Sequence, residues 1–105
     1  MTGTDDPGSI AAVVAAAAAR HPDVVGLSSG AFRTISTPVR GGTVSGVAVR
    51  PTAVEVGLVT RFGRPIPDIV AEVRDGLAPL TGGRVVHVFV EDVVAGLGGG
   101  APTGG

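Results

Sequence analysis

The stretch VEVGLVTRFGRPIPDIVAEVRDGLAPLTGGRVVHVFVEDV, residues 54–93, changes its hydrophobic period twice. From Ala53 to Phe62 the residues alternate, with Val54, Val56, Leu58, Thr60 and Phe62 on one face and Ala53, Glu55, Gly57, Val59 and Arg61 on the other. A period of two belongs to a strand with one face in a core. From Pro65 to Leu80, Ile66, Ile69, Val70, Val73, Leu77 and Leu80 recur at helical spacing, while Asp68, Glu72 and Asp75 lie off that stripe. An amphipathic helix follows the strand. Pro65 and Pro67 suit its first turn, where a missing N–H costs nothing, and Gly82 suits its end. RVVHVFVEDVV, from Arg84, returns to a period of two, placing Val86, Val88 and Val90 on one side and Val85, His87, Phe89 and Glu91 on the other. Strand, helix and strand in this order are compatible with a right-handed crossover and parallel pairing, although the sequence does not decide strand order.

Upstream, Ser9 is the expected N-cap of a helix that ends near Arg20, since Pro22 forbids much continuation. Ile10, Val13, Val14, Ala17 and Ala18 give that helix one apolar stripe, and its other faces are mostly alanine. DVVGLSSGAF reads as a first strand with glycine interruptions, and RTISTPVRGGTVSG as a connection with room for short pairing near Ile35. GVAVR, residues 46–50, is a second strand, tightly linked through Pro51 and Thr52 to the third. The order α-β-β-β-α-β leaves both helices needing an apolar sheet face. A two-layer α+β sandwich, with two helices on one face of a small mixed sheet, satisfies both with the fewest elements. Residues 1–8 and 96–105 carry too few apolar side chains to repay ordering and are expected to be mobile tails around a single domain, 9–95.

A chain of 105 residues that is 44% hydrophobic can bury one core without staples. With 19 valines, and with Phe32, Phe62 and Phe89 as its aromatics, that core is aliphatic and β-branched. The absence of cysteine excludes a disulfide framework or a thiolate metal site. Formal charge is −1 and all eight cationic side chains are arginines scattered along the chain, so no basic stripe exists to neutralise DNA phosphates. The apolar run IAAVVAAAAA is half the ~20 residues that span a bilayer, and the acidic pair Asp5 and Asp6 precedes it where a signal peptide would be basic. A cytoplasmic protein is expected, with no direct membrane insertion and any membrane association made through a partner.

The turn RFGRPIPDI, at a helix N-terminus with Arg61 and Arg64 nearby and Gly63 permitting close approach, has the outline of an anion site. Pro65 and Pro67 remove two of the donors such a site would use, and Asp68 already complements the helix dipole, which favours a structural turn. His21 falls at the end of the first helix, where partial positive charge suits the dipole. His87 and Glu91 share a strand face about 13 Å apart, too far to chelate one ion. A cross-strand Glu55 would bring His87 only one further ligand, short of a zinc site. GGTVSG and GLGGG lack the Lys and Ser/Thr ending of a P-loop, and the serines have no His and Asp in a recognisable motif. No carboxylate pair is placed for acid–base work, so no enzyme, cofactor or metal is expected. The aromatic strand motif of one RNA-binding class is missing, and GRPI does not supply the second glycine of a KH loop. A weak RNA- or anion-binding module using Arg61 and Arg64 is the alternative reading.

Residues 54–93, read as strand, FG turn, IPDIVAEVRDGL helix, TGGRV and a terminal VHVFVEDV, resemble the alkaline shock or general stress protein family, envelope stress response proteins found mainly in Gram-positive bacteria. HPDVVGLSSGAF resembles the family's passage from first helix to first strand, so the likeness covers about residues 9–95. It implies a non-enzymatic cytoplasmic protein that associates with itself, or with a small membrane-anchored protein, in cell-envelope homeostasis. It supplies no catalytic residues. On this reading the sheet face without helices carries the contacts, through Glu55, Val59, Arg61, His87, Phe89 and Glu91, with Arg64 beside it.

Overall fold

The structure, a computed structural model, describes residues 6–30 and 34–95. Of the expected tails, 1–5 and 96–105 lie outside the described residues, as do Ala31 and Phe32 at the end of the expected first strand. The chain runs α1 (Pro7–Ala19), β1 (Val24–Leu27), β2 (Ser36–Val39), β3 (Gly42–Ser45), β4 (Val47–Val49), β5 (Ala53–Arg61), α2 (Ile66–Leu77), a 3-10 turn (Ala78–Leu80) and β6 (Val85–Val94). This is an α+β fold in which both helices cover one face of a mixed sheet. Ile10, Ala11, Val14 and Ala18 of α1 and Ile69, Val73 and Leu77 of α2 close over Val24, Val47, Val54, Val56, Leu58 and Val86. Among the described residues the apolar side chains of this core are all aliphatic, in keeping with the valine-rich composition.

β5 is the centre of the sheet. β6 runs parallel along one edge, with Val54 beside Val86 and Val56 beside Val88, which settles a pairing that the sequence left open. β1 and β4 share the opposite edge end to end and antiparallel, β1 against Leu58–Thr60 and β4 against Val54–Val56. Between β1 and β4, where the sequence left room for short pairing near Ile35, β2 and β3 form a hairpin whose Thr37 stands in for a strand along the outer edge of β4. The Thr37 hydroxyl donates to Val47 O at 2.7 Å and accepts from Val49 N–H at 3.1 Å, satisfying two backbone groups that the edge would leave bare.

Helix α1 begins two residues before the expected cap. Asp6, not Ser9, is the N-cap, its carboxylate accepting from Ser9 N–H, with Pro7 in the first turn. Its buried stripe is Ile10, Ala11, Val14 and Ala18, and Val13, expected inside, is 50% exposed. A helix of mostly alanine offers two apolar faces of nearly equal merit, and packing selects between them. In β5 the expected core face holds for Val54, Val56, Leu58 and Thr60 but not for Phe62, which lies past the strand's end and is 76% exposed. Helix α2 keeps its predicted stripe; Pro79 and the positive-φ Gly82 and Gly83 then end the helical run and turn the chain into β6.

Candidate interaction site

The sheet face away from the helices was expected to be bare, and it is only partly so. Gly57, in the middle of β5, lies under the chain that leaves β1: a Cβ built on Gly57 would stand 2.1 Å from the carbonyl oxygen of Ser28 and 3.3 Å from Ile35 Cδ1. The segment therefore crosses the sheet in van der Waals contact with a residue that has no side chain. Ser28 N–H donates to Gly57 O, Gly57 N–H to Gly46 O, and Gly46 N–H to Ile35 O, all at 2.8–2.9 Å, stitching the crossing to both strands. Gly46, at φ 90°, abuts Leu27, where a Cβ would meet that side chain at 2.6 Å. Gly30 then lies against the Glu91 carboxylate, so the segment reaches from the β1 edge toward β6. Ile35 and Ala48, which share this face with Gly57, are buried.

What stays exposed is β6. Val85 is 59% and Phe89 44% exposed, His87 and Glu91 stand in solvent, and Glu55 and Val59 are half-buried beside them. The register puts His87 next to Glu55 and Phe89 next to Gly57. Glu91 does not pair with Val59, because a bulge makes Asp92 that residue's partner and brings a second carboxylate to the upper end of the strand. Glu55 is held from the far side by Arg50, whose guanidinium donates to it at 2.9 Å. Among the described residues no group of three or more His, Asp or Glu side chains converges in a way that would hold a metal ion.

The two arginines of the RFGRPIPDI turn are engaged elsewhere. Arg61 starts on the open face, but its guanidinium turns to the carbonyl of Pro22, at 3.2 Å from the nearer nitrogen. Arg64 does not join the face at all: it forks onto both oxygens of Glu72 and reaches Asp23 Oδ2 at 2.9 Å. His21 completes the cluster from the end of α1. Its Nδ1 accepts from Asp23 N–H at 3.1 Å, which leaves Nε2 as the protonated nitrogen, 2.8 Å from Glu72 Oε1. The Arg64 hydrogen bonds, seconded by the one from His21, hold the Glu72 carboxyl down at about 2, and Glu72 and then Asp23 raise Arg64 further above its ordinary value. The turn thus ties α2 to the α1–β1 link. An incoming anion would have to displace two carboxylates from Arg64, and two prolines deprive it of backbone donors.

No family model, curated protein or solved structure matches this chain. The arrangement must be read from its own geometry: a buried core layer, an internally satisfied turn, and one strand with apolar side chains and charges in solvent. Reasoning from sequence alone missed the His21–Glu72–Arg64–Asp23 cluster, whose members lie up to 51 residues apart. It also missed the crossing over Gly57, for which a glycine in the middle of an otherwise alternating strand was the available sign.

Proposed function

We propose that this chain is a non-enzymatic interaction module of the cell-envelope stress response, cytoplasmic, and acting by association with itself or with a small membrane-anchored protein. The observation that supports this reading is the exposure of β6, where Val85 and Phe89 stand in solvent on an edge strand of ten residues. Such a strand invites pairing unless charge, proline or a covering element blunts it, and here His87, Glu91 and Asp92 blunt it only in part. The resemblance of residues 54–93 to the alkaline shock protein family supplies the physiological setting. No described helix is long and apolar enough to cross a membrane. The internal pairing of Arg61 and Arg64 weighs against the RNA- or anion-binding alternative.

Light scattering on the purified protein over a concentration series tests the reading, with Phe89→Glu as the comparison. The expected result is a mass that rises above 10.2 kDa with concentration in the parent and stays there in the variant. A parent mass fixed at that of the monomer removes the self-association arm.

A further inference from the structure

We infer that two copies of this chain pair through their β6 edges, antiparallel and with Phe89 on the two-fold axis, making one continuous sheet. The inference rests on the self-association reading above and specifies its geometry. Val85 N–H donates to Thr52 O and Phe62 N–H to Val94 O, which fixes the side of each end of β6 that faces β5. Because backbone groups alternate along a strand, Val85, His87 and Phe89 direct theirs to β5, and Val86, Val88 and Val90 direct theirs outward. Among the described residues β6 pairs with β5 alone, so those outward groups have no strand partner.

The pattern around Phe89 is self-complementary. A two-fold axis at Phe89 sets Phe89 against its own copy as a non-hydrogen-bonded pair, the kind that brings side chains closest. Val88 then faces Val90 of the second copy, both with outward N–H and C=O, closing hydrogen-bonded rings on either side of the axis. His87 faces the second copy's Glu91, two residues from the axis in opposite directions, and does so twice by symmetry. Neighbouring registers lose this match. An axis at Val88 sets His87 against Phe89, and an axis at Val90 sets Phe89 against Glu91. The bulge at Glu91 limits the pairing to the middle of the strand, so the dimer is small in area and concentration-dependent.

The absence of cysteine makes the register directly testable. In Phe89→Cys the paired α-carbons lie about 4.5 Å apart across the axis, within disulfide range. In Val85→Cys, on the same exposed face, the two thiols are separated by about 26 Å of strand. Under mild oxidation, with folding checked by circular dichroism, Phe89→Cys should form a covalent dimer and Val85→Cys should remain monomeric. A mixture of His87→Cys and Glu91→Cys proteins gives a second reading should Phe89→Cys fold poorly: it should cross-link, whereas each alone should not. If the parent dimerises but neither Phe89→Cys nor the mixture cross-links, or if Val85→Cys cross-links equally well, the register is wrong and self-association stands. If the parent stays monomeric to ~1 mM, where association worth about 4 kcal/mol would register, both fall.

Discussion

Placing a single methyl group on Gly57 should unfold a large part of this domain's stability. The built Cβ is 2.1 Å from the Ser28 carbonyl oxygen, so the crossing segment must retreat by roughly 1.3 Å to reach the 3.4 Å of ordinary contact. The atom in the way is backbone, with no rotamer to change. Retreat breaks the Ser28 N–H bond to Gly57 O and pulls on the Gly46 bond to Ile35 O, both under 3.0 Å at present. Overpacking of this kind costs about 1–3 kcal/mol, and each broken bond adds about 0.5–1.5 kcal/mol. Gly57→Ala should therefore lose about 1.5–4.5 kcal/mol, against a total of about 5–15 kcal/mol for a domain of this class. Urea unfolding followed by circular dichroism reads the loss, and the melting temperature should fall by about 6 °C or more. Gly76→Ala is the control, since it lies inside α2 with open space around its built Cβ, and it should gain about 0.5–1 kcal/mol. A Gly57→Ala protein within about 1 kcal/mol of the parent would refute the close crossing.

Other substitutions probe other parts of the fold. Thr37→Val removes the hydroxyl that satisfies Val47 O and Val49 N–H at the edge of β4, and should cost about 2–3 kcal/mol in the same urea assay. Thr60→Val should do the opposite: the Thr60 hydroxyl is fully buried with no hydrogen-bond partner among the described residues, and a methyl in its place should add about 1 kcal/mol. Glu72→Gln tests the turn cluster through pH. A carboxyl held at about 2 when folded, below its ordinary value of 4.5, stabilises the fold fully above about pH 4.5 and loses that contribution as pH falls toward 2. Melting temperatures from pH 2 to 6 should thus fall less steeply in Glu72→Gln than in the parent. Equal slopes would mean that the cluster does not form in solution.

The central layers could be read from the chain because their signals are local. The alternation in β5 and β6 and the helical stripe of α2 each repeat over ten or more residues, and together they marked the elements and the side on which the helices pack, while the parallel pairing of β5 with β6 was one of the arrangements they left open. The N-terminal half was harder for a physical reason. Alanine gives α1 no strong polarity, so Val13 could not be told from Ala11 as the buried neighbour of Ile10 and Val14. The β2–β3 hairpin is held by its own pairing and by one threonine side chain, a contact that carries no periodic signature. For the site, the composition of the exposed face was foreseen at His87, Phe89 and Glu91, which do share β6. Arg61 and Arg64 were placed by their nearness in sequence, but guanidinium groups go where carboxylates and carbonyls meet them, and Glu72, Asp23 and Pro22 lie on other elements. The roof over Gly57 needed knowledge of which chain passes above, which one strand's pattern cannot hold.

The measurement that tests the central claim most directly is residue-resolved amide hydrogen exchange along β6, in the parent protein, at ~10 µM and ~1 mM, a range that brackets weak association. Pairing through this edge predicts that the outward amides of Val88 and Val90 slow as concentration rises, while Val85, already bonded to Thr52, keeps one rate. Exchange at Val88 and Val90 that is equally fast at both concentrations would contradict the account of β6 as the self-association edge.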